Sequence, residues 1–205
     1  MDKAVERILR AFETRSNKEW ERMRGMDTSE MQQHLDEFLL SVGPATGQLL
    51  NLLAKEAKAK TLLEVGSSYG YSTVWLADAA RQTGGKLISL ELHAGKQENA
   101  RAAIKKAGLD GFVDFRLGDA RDLLAKLKGK VDFVLLDLWK DLYIPCFDLF
   151  YPKLSAGALV VADNMTFPES ARRHAEAYRK HIRKKSGIQS VLLPVGSGLE
   201  LSRYK

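Results

Sequence analysis

From Thr61 onward the chain alternates short apolar runs with amphipathic helical stretches, and this alternation limits the fold more than any other feature. Strands are expected at Thr61–Val65, Lys86–Leu90, Phe112–Phe115, Val131–Leu136 and Ala158–Ala162. Helical patterns fill the gaps, for example Lys96–Ala107, which Gly108 would end as a C-cap. Such alternation builds a parallel sheet with right-handed crossovers. The tail departs from it. There Ser190–Leu193 and Leu199–Tyr204 flank Pro194-Val195-Gly196-Ser197-Gly198, which reads as an antiparallel hairpin. Ahead of the sheet, Val5, Ile8, Leu9 and Phe12 keep helical spacing. A second helix is expected from a cap at Asp27 or Thr28 to Leu40, and a third from the Ser41-Val42-Gly43-Pro44 break to about Lys58.

A chain of 205 residues, 45% hydrophobic and 28% charged, reads as one soluble globular domain. No apolar run approaches the ~20 residues of a membrane span. The first residues carry charge where a signal peptide needs an apolar core. The single cysteine, Cys146, excludes an internal disulfide and suits a reducing cytoplasm. It lies among Ile144, Pro145, Phe147 and Leu149, as a packed core thiol would. The net charge of +6 permits contact with nucleic acid without requiring it. Along the densest basic stretch, Arg172 to Lys185, the residues Ala171, Ala175, Tyr178 and Ile182 recur at helical spacing, so it reads as a helix with one buried and one solvated face.

Chemistry gathers where the strands end. In open α/β sheets, ligands bind outside the carboxyl ends of the strands. Val131–Leu136 runs into Asp137, with Lys140 three residues on, and Ala158–Ala162 runs into Asp163-Asn164. Three hard oxygen donors without a neighbouring His or Cys suit Mg²⁺ or Ca²⁺ and not zinc. Lys140 beside them is a candidate general base, its pKa lowered by a nearby cation.

The first strand runs into Glu64-Val65-Gly66-Ser67-Ser68-Tyr69-Gly70-Tyr71-Ser72 and then a helix, a nucleotide-type cradle. Its spacing is G-x-x-x-G, and Ser68 stands where a dinucleotide fold places its second glycine. No Lys or Arg occurs from Thr61 to Ala80, which excludes a P-loop. Glu64 would suit a ligand bearing ammonium or sulfonium charge. Glu91 closes the second strand, 21 residues beyond Gly70, at the distance of a ribose-binding acid. Asp119, in Gly118-Asp119-Ala120, could accept from an adenine amino group.

Taken together, these residues resemble a Rossmann-like class I methyltransferase, and more narrowly the cation-dependent O-methyltransferases of the catechol and caffeoyl-CoA types. Glu64 to Ser72 matches their E-x-G-x-x-x-G-x-S loop. Asp137-Leu138-Trp139-Lys140-Asp141-Leu142-Tyr143 is similar to D-H-W-K-D-R-Y, with Leu138 in place of the histidine. Ala162-Asp163-Asn164 matches the second metal segment, and Gly198-Leu199-Glu200 resembles a substrate-contacting G-L-E. The resemblance implies a mostly parallel seven-stranded sheet with a C-terminal antiparallel hairpin, in a single domain of residues 1–205. Helices in 1–58 would cover the site, and 59–205 would form the core.

For the site, the resemblance implies S-adenosyl-L-methionine as cofactor. It would be bound by Val42 and Gly43, by Glu64, Gly66, Ser67, Ser68, Tyr69, Gly70 and Ser72 of the loop, and by Glu91 with Leu92. Asp119 with Ala120, and Asp137 with Trp139, complete that set. Asp137, Asp163 and Asn164 would hold Mg²⁺, or Mn²⁺ or Ca²⁺. Lys140 would be the base and Glu200 its catalytic companion, with Trp139, Lys140, Asn164, Met165 and Glu200 meeting the substrate. Phe167 is a further candidate wall for a flat ring. The acceptor so implied is a catechol-like small molecule, with a hydroxylated tRNA base as the alternative and a catalytically inactive cofactor-binding protein as the reading from another class. No membrane partner is expected, and monomer and homodimer both stay open.

Overall fold

The computed structural model describes residues 2–27, 30, 34 and 37–205. The helix expected between Asp27 and Leu40 falls largely outside the described residues. Helix α1 (Lys3–Arg24) starts at Asp2, whose carboxylate accepts from the Ala4 N–H at 2.8 Å. Helix α2 (Pro44–Glu56) has Pro44 in its first turn, where the missing N–H costs nothing. Then follow β1 (Thr61–Val65), α3 (Tyr71–Thr83), β2 (Lys86–Glu91), α4 (Ala94–Lys106), β3 (Val113–Leu117), α5 (Ala120–Ala125) and β4 (Val131–Leu136). The chain closes with α6 (Tyr143–Phe150), β5 (Leu154–Ala162), α7 (Arg172–Ile182), β6 (Ile188–Leu193) and β7 (Leu199–Tyr204). Among the described residues no helix is long and apolar enough to cross a membrane.

The seven strands form one sheet in the order β3-β2-β1-β4-β5-β7-β6. Strands β1 to β5 are parallel, and β7 lies antiparallel between β5 and β6. Successive side chains leave a strand on opposite faces, so each apolar run feeds two cores. Leu62, Phe133, Leu135 and Val161 pack with α1 to α4 on one face. Leu63, Val134, Leu136, Val160 and Ala162 pack with α5, α6 and α7 on the other. Burial on both faces is why these strands read as continuous apolar runs.

Strand β5 begins four residues before the expected start. Its register against β4 jumps between Val131, paired with Leu154, and Phe133, paired with Leu159. Gly157, at φ 81°, sits in this irregularity. A glycine that looks like a break in sequence is here a bulge inside one strand. Cys146 is fully buried in α6, and burial pushes its thiol up to about 12, as expected of a core thiol.

The parallel order brings the carboxyl ends of β1 to β5 to one edge of the sheet. The chain leaves β1 toward β2 and β3 on one side, while β4 and β5 lie on the other, so the crevice opens between β1 and β4. There the backbones nearly touch: a β-carbon built on Gly66 would lie 2.1 Å from the carbonyl oxygen of Asp137. The turn of the β6–β7 hairpin reaches the same edge. Ser197 O accepts from the N–H groups of Thr166 and Phe167 at 2.9 and 3.2 Å, and Gly198 O accepts from Met165 at 2.9 Å. On its other side, a β-carbon on Gly196 would lie 2.4 Å from Thr46 Oγ1 in the first turn of α2.

Candidate active site

The loop after β1 is a tight glycine turn. Gly66, Ser68 and Gly70 have φ of 96°, 48° and 100°, and their N–H groups are spent within the fold, that of Gly66 on Leu90 O at 3.1 Å and that of Gly70 on Ser67 O at 2.9 Å. Gly70 begins α3, whose N-terminus brings partial positive charge to this turn. Ser67 Oγ is buried without a hydrogen-bond partner, a donor left over for a ligand. At the end of β2, Glu91 accepts from the N–H groups of Ser68 (2.7 Å), Leu92 (2.9 Å) and His93 (3.0 Å). Three backbone donors fix its carboxylate and leave capacity for roughly one more.

The N-terminal segments lie against this loop. Glu13 of α1 accepts from Tyr71 Oη at 2.9 Å, and the Arg15 guanidinium stacks 4.0 Å from the centre of the Tyr69 ring. Ser68 Oγ donates to Leu39 O and Tyr69 Oη to Glu37 O, each at 3.3 Å. Val42 is buried, and Gly43, at φ 80°, turns the chain into α2.

Two acids of the expected cofactor set are engaged elsewhere. Glu64 is fully buried, and its carboxylate accepts from Ser72, Thr73 and Ser89 hydroxyls, each at 2.7 Å. It therefore clips β1, β2 and the first turn of α3 together and does not face an ammonium or sulfonium group directly. Burial pushes this carboxyl up to about 7, against the pull of the three hydroxyls. A folded pKa above the ordinary 4.5 means the native state holds the proton more tightly, so this stabilisation is complete below pH 4.5 and is lost as pH rises to about 7. Glu64→Gln should flatten the wild-type fall in stability between pH 5 and pH 8 by on the order of 2–3 kcal/mol, read by urea unfolding. Asp119 is the N-cap of α5 and pairs with Arg121 Nη2 at 2.6 Å, which holds its carboxyl down at about 2. The adenine contact expected of it competes with that pair.

At the ends of β4 and β5 the backbone places the acids side by side. Asp137 N–H donates to Val65 O at 3.0 Å, and Asp163 N–H to Leu136 O at 3.1 Å. Asp163 is 2% exposed, and its Oδ1 has no hydrogen-bond partner. Burial first, and the Asp137 charge second, push its carboxyl up to about 7. Asn164 follows with φ 56°, in the left-handed region that asparagine tolerates better than most residues with a side chain. Lys140 Nζ donates to Asp137 Oδ1 (3.3 Å), Leu138 O (2.9 Å) and Tyr143 Oη (2.7 Å). Tyr143 Oη in turn donates to Asp163 O at 3.1 Å. Among the described residues no three His, Cys, Asp or Glu gather to hold a metal. The donor set here is two carboxylates and an amide.

Two aromatic side chains in the segments that follow these acids are exposed. Trp139 and Phe167 are 56% and 54% exposed, whereas Met165 is buried. The structure thus leaves Trp139 and Phe167 available as walls and assigns Met165 to the core.

Glu200 requires a correction. It is fully buried, and its carboxylate accepts from Arg179 Nε (2.9 Å), Arg183 Nε (2.9 Å) and Ser190 Oγ (2.6 Å). It faces α7 within an ion cluster, where two guanidinium groups and a hydroxyl hold it away from the open edge of the sheet. The same cluster accounts for part of the basic helix. His181 and Lys185 pair with Asp148 at 2.9 and 2.6 Å, and Arg172 pairs with Glu169 and Glu176, while Ala175, Tyr178 and Ile182 form the expected buried face. Glu200→Ala should lower stability by about 2 kcal/mol, because it strands two partly buried arginines. Turnover measured below the melting transition should stay near wild type; a loss of turnover without a loss of stability would restore Glu200 to the site.

Strand order, the glycine loop after β1 and acids at the ends of β2, β4 and β5 define a class I methyltransferase fold. The family model described as O-methyltransferase matches residues 13–205. A catechol O-methyltransferase from Niastella koreensis is 38% identical over 130 residues, covering 62% of this chain. That match spans 58% of the relative, less than two thirds of its length. A caffeoyl-CoA O-methyltransferase from Petroselinum crispum is 31% identical over 186 residues, covering 80% of this chain and 77% of that one. The crystal structure of an O-methyltransferase from Bacillus cereus in complex with SAH superimposes with a TM-score of 0.77 at 23% identity, over 100% of this chain and 92% of that one. The chain belongs to the O-methyltransferase family.

Proposed function

We propose that the protein transfers a methyl group from S-adenosylmethionine to one hydroxyl of a catechol-like small molecule, with a divalent cation at Asp137, Asp163 and Asn164. The observation that carries the cation is Asp163, a buried carboxylate with one oxygen unpartnered and the Asp137 charge close enough to push its pKa up. Oxygen donors of this kind fit Mg²⁺, with Mn²⁺ and Ca²⁺ as alternatives. When bound, the cation would supply Lewis acidity that stabilises the anion of a vicinal diol.

The chain's own groups do the rest. Lys140 Nζ takes the hydroxyl proton, and the freed oxygen pair forms the new O–CH₃ bond as the S–CH₃ pair returns to sulfur. The loop from Gly66 to Gly70, with the unpartnered Ser67 hydroxyl and the N-terminus of α3, holds the charged methionine end, with Val42 and Gly43 beside it, and Glu91 takes ribose hydroxyls. Trp139 and Phe167 hold the acceptor ring flat, so that positioning supplies much of the rate. The family's small-molecule relatives and the internal pairing of α7 favour a small acceptor over a tRNA base.

Methyl transfer from labelled S-adenosylmethionine to catechols, matched monophenols and hydroxylated tRNA tests this reading. Turnover of the catechols alone supports it. Turnover confined to tRNA, weakening steeply with salt, would replace the acceptor while keeping the chemistry.

A further inference from the structure

The chain Lys140–Tyr143–Asp163 has a fixed polarity. The Asp163 carbonyl can only accept and a Lys140 ammonium can only donate, so beside the ammonium the Tyr143 proton goes to Asp163 O at 3.1 Å. Tyr143 Oη therefore meets Lys140 Nζ, at 2.7 Å, with a lone pair. The phenol cannot swing away. Tyr143 is fully buried, and its ring stands at 83° against Tyr178 with centroids 5.4 Å apart. An ammonium has three N–H groups, and Lys140 finds three acceptors. A free amine has two N–H groups and one lone pair. With the Tyr143 proton kept on Asp163 O, the two short bonds, to Leu138 O (2.9 Å) and Tyr143 Oη (2.7 Å), would hold both N–H groups of the amine. Its lone pair would then take the third direction, now occupied by Asp137 Oδ1 at the longer 3.3 Å.

We infer that Tyr143 is a positioning residue that aims the Lys140 amine at the acceptor hydroxyl. This rests on the proposed role of Lys140 as base. Tyr143 does not touch the reacting atoms; it acts through Lys140.

Tyr143→Phe keeps the ring and removes the acceptor. At saturating cofactor, catechol and Mg²⁺, kcat should fall about tenfold, the scale of a misaimed catalytic group. The half-saturating Mg²⁺ concentration and the cofactor Kd should stay within about twofold of wild type. A kcat within twofold of wild type, or a loss recovered by more Mg²⁺, would overturn the inference; the second result would mean the phenol serves Asp163 instead. Lysine-selective ¹⁵N spectra of the ligand-free wild-type protein give a readout that needs no variant and no turnover. The Lys140 ammonium, held by three acceptors, should exchange its protons more slowly than surface lysines, and exchange at the surface rate would also overturn the inference. If the wild type methylates no vicinal diol while this signal stays protected, the functional reading fails and the geometry of Lys140 stands.

Discussion

Gly66→Ala is expected to cost about 3 kcal/mol of stability and to abolish cofactor binding. Gly66 sits at φ 96°, which an L side chain rarely adopts. The strain of a left-handed backbone alone is about 1–2 kcal/mol. The added methyl would also lie 2.1 Å from the carbonyl oxygen and 2.9 Å from the carbonyl carbon of Asp137. Both atoms are backbone, at the start of the segment that carries Lys140, so no side-chain rotation relieves the clash. Either β1 and β4 part at their carboxyl ends or the loop refolds. Both outcomes disturb the loop after β1 and the Asp137 carboxylate together. Gly95→Ala is the control, since Gly95 has no atom near its added methyl. Urea unfolding and calorimetric titration with S-adenosylhomocysteine check both variants.

Lys140→Ala should lower kcat by about 10²–10⁴, the usual range for a general base. The fold has little reason to suffer. Tyr143 keeps its bond to Asp163 O, and the lost ion pair, at 3.3 Å, is a long one. Mg²⁺ should bind at least as tightly as in wild type, because the variant loses a cation that competes for Asp137. Cofactor affinity should not change. A large fall in kcat with unchanged binding of both ligands separates a base from a scaffold residue. A parallel loss of Mg²⁺ affinity would assign Lys140 to the scaffold.

The inner strands of the sheet were legible because they are apolar runs bounded by polar or glycine breaks, whereas the edge strand β3, Val113–Leu117, alternates with Asp114 and Arg116 and runs two residues past the expected Phe115. Thr61–Val65 and Val131–Leu136 appear with the expected ends. The start of β5 was not legible, because a glycine at positive φ within a bulge looks the same in sequence as a turn. The juxtaposition of Asp137, Lys140 and Asp163 follows from strand ends meeting at one edge, so pattern alone could place it. What side chains choose as partners is a different matter. Glu200 meets Arg179 and Arg183 across 21 and 17 residues of sequence, and nothing in a strand ending G-L-E announces that α7 supplies two guanidinium groups. Asp119 finds Arg121 only two residues away, a pair that was present in the sequence and outweighed there by its strand-end position. Tyr143 lies in an apolar helix, where an aromatic residue reads as core; its buried hydroxyl gains meaning only once Lys140 and Asp163 O are seen on either side of it.

We propose that methyl transfer at this edge of the sheet depends on a divalent cation held by Asp137, Asp163 and Asn164. Turnover of a catechol with labelled S-adenosylmethionine, first in Mg²⁺, then in excess EDTA, then after Mg²⁺ is restored, tests this dependence. Activity, its loss and its recovery are expected in turn, with Asp163→Ala inactive at every step. Equal turnover in EDTA and in Mg²⁺ would rule the cation out.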